Sequence, residues 1–334
     1  MCSNSYRPIS NFMASSQVIH PPRGMASFEG AIVRIMRADS ESLSRQDDKA
    51  MIPKRLYKDG VKLSIIGFGG MIVVGHEQVA ANQIVSEAVD CGINYFDVAP
   101  EYGDGEAEEK LGVALQPYRN QVFLACKTLQ RDAQGAQKEL DRSLKRLRTN
   151  HFDLYQFHAV TTLEEVDRIF ASDGAIQTYI RAREQGKFRF IGFSAHSVEA
   201  ALAMMDRFDF DSILFPINFV CYAQGGFGPQ VLQRAKAKGV ARLALKALAH
   251  HPWPEGLDRK YPKCWYQPVD DLKLARQALR FTLSEDITAA VAPSDVRLYH
   301  SVLELASSLD PLTQGERQQI LASTQGCQPI FPEH

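Results

Sequence analysis

Short apolar runs rich in β-branched residues alternate with longer stretches of helical periodicity from about residue 61 onward. The apolar runs predict strands at residues 63–69, 93–99, 122–127, 152–158, 188–194, 212–219, 241–247 and 287–292. Helical spacing follows each run and is clearest at residues 106–115, 136–147, 198–208, 229–238, 271–283 and 298–309. Eight strands that each lead into a helix predict a single-domain α/β protein, a parallel (β/α)8 TIM barrel.

The two ends of the chain lack this alternation. Residues 1–50 are polar and irregular, which predicts a poorly structured N-terminal tail. We predict that the barrel follows over residues 51–325 and that residues 326–334 form a C-terminal tail. The apolar island at residues 31–36 is interrupted by Arg34 and follows no basic region, so we do not expect a secretory signal. Met51 is a candidate start of the protein.

Composition narrows the function without selecting it. The 334 residues, 45% of them hydrophobic, suffice for one large barrel or for two smaller domains. A net charge of -1 gives no electrostatic reason to expect a nucleic acid or a membrane as partner, and small neutral or anionic substrates stay open. No apolar stretch approaches the roughly 20 residues of a spanning helix. Six scattered cysteines without a C-x-x-C pair indicate no metal site and favour the reducing cytoplasm.

A doubly wound dinucleotide-binding sheet is the structural alternative, because three glycines fall within residues 67–70 after the first predicted strand. The G-x-G-x-x-G spacing requires a further glycine where this chain has Ile72, so we interpret these glycines as a tight barrel turn. Lys187 does not belong to a phosphate-binding loop either. Phe188 stands in place of the required Ser or Thr, and Arg181 in place of the first glycine.

Four polar residues lie where chemistry is located in a barrel, at the C-terminal ends of the strands. Asp97 comes late in the second strand, Tyr102 follows in the next loop, Lys127 ends the third strand and His158 ends the fourth. Adjacent strands would bring these side chains together. Alternation along the third strand then predicts that Lys127 points into the barrel and Cys126 toward the helices.

The same alternation places Gln156 and His158 on the inner face of the fourth strand, with Tyr155 on the outer face. A buried lysine is tolerable mainly when it is paired with a carboxylate, and Asp97 would supply that charge.

Tyr102 is a candidate proton donor to a substrate oxygen. Its ordinary pKa near 10 is high for this task, and we expect the nearby Lys127 ammonium to lower it. His158 would hydrogen-bond the same oxygen and orient it.

Several segments around these residues resemble the aldo-keto reductase family. The segments are 92–103 (GINYFDVAPEYG) with 108–112 (EEKLG), 123–127 (FLACK), 140–149 (LDRSLKRLRT) with 153–158 (DLYQFH), and 186–194 (GKFRFIGFS). The resemblance spans about residues 54–310. It implies that Asp97, Tyr102, Lys127 and His158 form a catalytic tetrad, and that NADPH or NADH binds across the barrel mouth to donate hydride to a carbonyl.

The resemblance also implies a nucleotide site. Ser194 would contact the nicotinamide amide, and Asn218 is our expected second partner of that amide because the family's glutamine is missing from the sixth strand. Leu245 replaces the aromatic residue that often stacks on the nicotinamide, and Lys246 beside it is expected to reach the pyrophosphate. The remaining expected cofactor contacts are Pro293, Ser294 and Arg297.

The sequence leaves the choice between NADPH and NADH open. Asp295 stands where relatives that prefer NADPH have a basic residue, which favours NADH, whereas Arg297 keeps NADPH possible. The loop at residues 250–268 is long and aromatic, and we expect it to cover the site. We expect Trp265 or Tyr222 to line the substrate pocket. Substrate identity and oligomeric state do not follow from the sequence.

Three functional classes follow from these patterns. The first is an NAD(P)-dependent oxidoreductase that acts on an aldehyde, a ketone or a sugar-like carbonyl. The second is a regulatory barrel subunit that senses nucleotide with little or no catalysis. The third is an unrelated barrel lyase or isomerase that forms a Schiff base at Lys127.

Overall fold

The computed structural model of the chain describes residues 51–256 and 258–332. The predicted N-terminal tail, residues 1–50, lies outside the described residues. The strands are β1 (Lys54–Lys58), β2 (Val61–Ser64), β3 (Ile66–Gly69), β4 (Tyr95–Asp97), β5 (Phe123–Thr128), β6 (Phe152–Val160), β7 (Phe188–Ala195), β8 (Ser212–Pro216), β9 (Ala241–Leu245), β10 (Ala249–Pro252), β11 (Tyr266–Pro268) and β12 (Ala289–Val291).

The helices lie between and after these strands. They are α1 (Gln78–Asp90), α2 (Glu106–Ala114), α3 (Ala133–Arg146), α4 (Leu163–Phe170), α5 (Ile176–Glu184), α6 (Val198–Arg207), α7 (Phe219–Gln224), α8 (Pro229–Ala237), α9 (Leu272–Ser284), α10 (Val296–Ala306) and α11 (Gln314–Ala322), with 3-10 turns at Gly70–Val73 and Gln116–Tyr118. Several begin at side chains that accept a backbone N–H, as expected for helix caps: Asp132, Ser197, Asp271 and Asp295. None of the helices among the described residues combines the length and the apolar character needed to cross a membrane.

A closed parallel barrel is formed by β3 to β9 in chain order, and β12 pairs with both β9 and β3. The predicted (β/α)8 TIM barrel is confirmed, and each of the eight predicted runs overlaps one barrel strand. The long loop after β9 contains an unpredicted hairpin of β10 and β11.

All eight predicted strands differ from the observed strands by one to three residues at one or both ends, and the two largest differences have a structural cause. The first run divides, because Leu63 belongs to the antiparallel hairpin of β1 and β2, and the barrel strand begins only at Ile66. The run at 212–219 ends early, at Pro216. Its last residues cannot continue the strand, because Asn218 caps α7.

Aromatic side chains close the N-terminal end of the barrel. Tyr57 of the hairpin packs edge-on against Phe123 and Phe190, with ring centroids 5.2 Å apart in both pairs. Leu63 joins the same buried cluster. Because this end is filled with side chains, the opposite end, where the strands finish, is left to form a site.

The chain returns to that opposite end after α11. Phe331 stacks on Phe227, with ring centroids 5.2 Å apart, and meets Trp265 edge-on at 5.7 Å. The described part of the predicted C-terminal tail therefore packs at the barrel mouth.

Candidate active site

A buried ion pair joins the ends of β4 and β5. The side chains of Lys127 and Asp97 are 1% and 3% exposed, and Lys127 Nζ contacts Asp97 Oδ1. Asp97 Oδ2 accepts hydrogen bonds from Gln156 Nε2 and from the Tyr95 hydroxyl, both at 3.1 Å. Burial lowers the pKa of Lys127, but the charges of Asp97 and Tyr102 outweigh it, so the net shift is upward. Lys127 is therefore a charged ammonium at neutral pH.

The predicted alternation along β5 and β6 is confirmed. Cys126 Sγ lies 3.6 Å from the Glu108 carboxylate on α2, on the helix side of the barrel. Tyr155 also faces the helices, with its ring centroid 5.0 Å from that of Tyr179 on α5. Gln156 points inward, as its hydrogen bond to Asp97 shows. The inner face of these strands thus presents polar groups to one site.

Tyr102 lies in the loop between β4 and α2. Three consecutive residues with positive φ, Gly103 at 61°, Asp104 at 53° and Gly105 at 96°, turn the chain directly after it. Lys127 Nζ lies 5.2 Å from the centroid of the Tyr102 ring, and the His158 ring meets that ring edge-on at 5.8 Å. The loop thus holds the phenol against the side chains of two strand ends.

Burial raises the pKa of Tyr102 above its ordinary value, and the charge of Lys127 offsets only part of that rise. The expectation that Lys127 brings this pKa below 10 is therefore wrong in this structure, because desolvation is the larger effect. The phenol is protonated at neutral pH, which is the form that can donate a proton.

His158 is a neutral group in this environment. Burial lowers its pKa to about 4, so the imidazole is uncharged at neutral pH. Its Nδ1 contacts the carboxylate of Glu101, a neighbour that sequence reasoning missed. A neutral imidazole retains one N–H donor and one acceptor nitrogen for hydrogen bonding.

A cavity of about 300 Å³ lies at this end of the barrel. Nine of the twelve site residues predicted from the sequence line it: Asp97, Tyr102, Lys127, His158, Ser194, Lys246, Trp265, Pro293 and Ser294. The Ser194 hydroxyl is fixed on one side, because its oxygen accepts a hydrogen bond from the Ala159 amide at 2.8 Å. Its own proton can still be donated into the cavity.

Two predicted contacts, Asn218 and Tyr222, lie outside the cavity lining. Asn218 is buried, and its amide is engaged at the start of α7: Oδ1 accepts from the Cys221 amide at 2.9 Å, and Nδ2 donates to Cys221 Sγ at 3.4 Å. The Tyr222 ring packs instead against Phe281 and Arg317, with centroid distances of 5.4 Å and 5.1 Å. Their positions do not support the expected roles in binding cofactor or substrate.

Arg297 also lies outside the cavity lining, and its side chain is 57% exposed. Its guanidinium donates two hydrogen bonds to Asp295, both at 2.9 Å, and a third to the Lys260 carbonyl at 2.7 Å. The Arg297 guanidinium lowers the pKa of Asp295. The positive charge expected to favour a 2′-phosphate is therefore already matched by the neighbouring carboxylate.

Lys263 and His196 are two basic residues of the cavity lining that the predicted site lacks. Lys263 Nζ donates a hydrogen bond to the Ile72 carbonyl at 3.1 Å, which ties the loop after β9 to the turn after β3. His196 lies directly after β7, and burial lowers its pKa to about 2. Its position after Ser194 was a signal in the sequence, whereas Lys263 falls within an irregular loop that has no periodicity to read.

Lys246 lines the cavity just after β9, with a backbone φ of 62°. Its Nζ lies 3.3 Å from His196 Nε2 and 5.5 Å from the ring centroids of both Trp265 and Phe331. Burial lowers the pKa of Lys246 to about 7. This ammonium thus borders the cavity on the side of β7 and of the C-terminal segment.

The family model of the aldo/keto reductase family matches residues 65–309 of this chain. The match covers the whole barrel and both strand ends that carry the Lys127–Asp97 pair. The chain therefore belongs to the aldo/keto reductase family.

Individual relatives agree with this assignment over different lengths. The aldo-keto reductase YhdN of Bacillus subtilis is 34% identical over 166 residues, which are 45% of this chain and 47% of that protein. The chain thus spans about half the length of that relative. The L-galactose dehydrogenase of Arabidopsis thaliana is 27% identical over 239 residues, which are 67% of this chain and 73% of that protein.

Among solved structures, the holo form of aldo-keto reductase AKR11C1 from Bacillus halodurans is similar to this chain with a TM-score of 0.65. The identity is 25%, and the match covers 81% of this chain and 96% of that one.

Proposed function

We propose that this chain is an NAD(P)H-dependent oxidoreductase that reduces an aldehyde or a ketone, or oxidises the corresponding alcohol. The observation that carries the proposal is the convergence of Tyr102, the Lys127–Asp97 pair and His158 on one cavity. Membership of the aldo/keto reductase family supports the same reaction class. A sugar-like carbonyl falls within this class, and the name of the Arabidopsis relative refers to a sugar.

The tetrad divides the work of proton transfer. Tyr102 donates its phenolic proton to the carbonyl oxygen, and the Lys127 ammonium stabilises the phenolate that remains. Asp97 holds Lys127 in place and balances its charge. In the tautomer protonated at Nε2, which leaves Nδ1 without a hydrogen-bond partner, the uncharged His158 donates a hydrogen bond to the carbonyl oxygen and does not compete for the proton. When bound, the reduced nicotinamide supplies the hydride.

The cavity offers groups that fit a nicotinamide nucleotide. The Ser194 hydroxyl can donate to the carboxamide, and Pro293 and Ser294 line the cavity after β12, just before α10. The N-terminal turn of a helix favours anionic groups, because its free N–H groups and its dipole point at them. Lys263 adds a cation from the loop after β9. These residues would hold the nucleotide across the mouth.

The lysine Schiff-base alternative is not favoured. Imine formation needs an uncharged amine, yet the pKa of Lys127 is shifted upward. Its Nζ is also engaged by Asp97 and lies 3.3 Å from the Val98 carbonyl. Lys127 thus has the surroundings of an electrostatic partner and not of a nucleophile.

The test is to follow oxidation of NADPH and of NADH by absorbance with a panel of aldehydes and ketones. We expect turnover with the wild type and its loss in Tyr102→Phe, with unchanged nucleotide affinity. Tyr118→Phe is a matched control, because the Tyr118 hydroxyl bonds to Ser86 at 3.1 Å, away from the cavity. Full turnover by Tyr102→Phe would contradict the role of the phenol. Tight nucleotide binding without turnover of any carbonyl would indicate the regulatory, nucleotide-sensing class instead.

A further inference from the structure

The backbone holds Lys246 in an unusual conformation beside the tetrad. Its φ of 62° lies in the left-handed region, which residues with a side chain seldom occupy. The ammonium is bordered by three separate segments: His196 after β7, Trp265 in the loop after β9, and Phe331 in the C-terminal segment. Strained backbone of this kind is often found at functional sites. The conformation and surroundings of Lys246 therefore indicate that its ammonium has a role in binding.

The charges around the cavity leave this ammonium without a counter-ion. Among the described residues that line the cavity, Asp97 is the one acid, and Lys127 already neutralises it. No ion pair joins Lys246 to a carboxylate in the part of the chain that the structure describes, where its polar contact is with His196. A partly buried ammonium without an anion is costly. The cavity is therefore suited to an anionic group next to Lys246.

Two molecules could supply such an anion: the pyrophosphate of the nucleotide or a charged substrate. The direction of the side chain favours the substrate. From the end of β9, Lys246 reaches toward His196 after β7, on the side of Ser194 that would hold the nicotinamide, and away from Ser294 and the start of α10, where the nucleotide phosphates would bind. It lies close enough to His158 for its charge to affect the pKa of that imidazole. The ammonium thus faces the end of the cavity where the carbonyl is to be reduced.

We infer that Lys246 binds an anionic group of the carbonyl substrate and makes this chain selective for aldehydes or ketones that carry a carboxylate or a phosphate. The inference rests on the proposed carbonyl reductase function and adds its substrate class. The cation and the aromatic rings of Trp265 and Phe331 would together form the pocket for the charged end of the substrate.

The test compares aldehydes that differ in charge and little else. Succinic semialdehyde is paired with butyraldehyde, and phthalaldehydic acid with its methyl ester. We expect the wild type to favour at least one charged aldehyde in kcat/KM by about tenfold or more, as is typical of a hydrogen bond between charged groups. Lys246→Met should bring the ratio of kcat/KM between the charged and the uncharged member of each pair to about one. Lys246→Arg, which keeps the charge, should retain part of the preference.

Two control variants separate the possible sources of the anion. Lys236→Met removes a lysine whose side chain is 70% exposed and pairs with Asp286, and it should leave both the preference and the nucleotide affinity unchanged. Lys263→Met should weaken binding of NADPH or NADH, measured by fluorescence, without changing the preference between aldehydes.

The outcomes distinguish this inference from the proposed function. Equal kcat/KM for charged and uncharged aldehydes in the wild type would overturn the inference and leave the carbonyl reductase function intact. Weaker nucleotide binding in Lys246→Met, with an equal loss for all aldehydes, would assign Lys246 to the pyrophosphate and would also overturn it. Absence of turnover with every carbonyl would contradict the proposed function itself, and the inference with it.

Discussion

Substitutions in the Lys127–Asp97 pair can separate the effect of these charges on the free energy of unfolding from their effect on carbonyl reduction. Removing one member of a buried ion pair costs about 3–5 kcal/mol, because the other charge is left without compensation. Lys127→Met leaves the Asp97 carboxylate with hydrogen bonds from Gln156 and Tyr95, so we expect a loss near the lower end. Asp97→Asn leaves the ammonium with the Val98 carbonyl at 3.3 Å and one amide oxygen, so we expect a loss near the upper end.

The double variant Asp97→Asn with Lys127→Met is the decisive measurement. Because it removes both charges from a site that is almost closed to solvent, it should recover most of the stability that either single variant loses. Urea unfolding followed by circular dichroism gives the free energies of unfolding, and the double-mutant cycle should show a coupling of at least about 2 kcal/mol. Carbonyl reduction should stay absent, since the charge that stabilises the phenolate is still missing.

The exposed pair of Lys236 and Asp286 is the matched control for this cycle. Its side chains are 70% and 61% exposed, and pairs of this kind contribute about 1 kcal/mol or less. If the double variant at Lys127 and Asp97 loses the sum of the two single losses, the two charges are not coupled. That result would refute the argument that mutual neutralisation keeps them in the barrel.

Three further measurements test individual charges. Asp295→Asn preserves the helix cap and should free the Arg297 guanidinium from its carboxylate partner. The KM for NADPH should then fall relative to the KM for NADH by about threefold or more. An unchanged ratio of the two KM values would show that Arg297 does not contact the 2′-phosphate. The kcat/KM for a carboxylate-bearing aldehyde should fall as pH rises through about 7, because Lys246 then loses its proton, whereas the kcat/KM for the uncharged aldehyde of the pair should not fall. The groups around Lys246 do not titrate in this range: His196, with a pKa of about 2, stays neutral, Cys221, with a raised pKa, stays a thiol, and Lys127 stays charged. The pKa of His158 is about 4 in the folded state and 6.5 in the unfolded state. Its contribution to the free energy of unfolding, up to about 3 kcal/mol, is therefore present above pH 6.5 and lost as pH falls toward 4. Urea unfolding of His158→Gln should show a smaller decrease of the free energy of unfolding over that pH range than the wild type shows.

The tetrad could be predicted from the sequence because its geometry follows from strand periodicity. Asp97, Lys127 and His158 each end an apolar run, and parallel strands that lie side by side bring their C-terminal ends together. Two-residue alternation then decides which side chains enter the barrel, as Cys126 and Lys127 show. These relations need only the order of the strands, which the pattern of the chain supplies.

Other features depend on tertiary contacts and on competing energies that the pattern of apolar and polar residues along the chain does not show. Asn218 sits within an apolar run that continues to residue 219, and the run itself gives no sign that the residue caps a helix. The direction of the pKa shift of Tyr102 depends on how far burial outweighs the charge of Lys127. Phe331 reaches the mouth only because the chain returns there after α11, and no periodicity predicts that return.

At the barrel mouth, the groups that carry out the reaction are distinct from the charged groups that select the substrate. The tetrad has no net charge at neutral pH: the Lys127–Asp97 pair cancels, His158 is neutral and Tyr102 is protonated. Its field therefore neither attracts nor repels a charged aldehyde to a large extent. Discrimination by charge must then come from outside the tetrad, and Lys246 is the cation that we place beside the carbonyl of the substrate. Substitutions within the tetrad should accordingly lower turnover of charged and uncharged aldehydes by the same factor, whereas substitution of Lys246 should change the ratio between them.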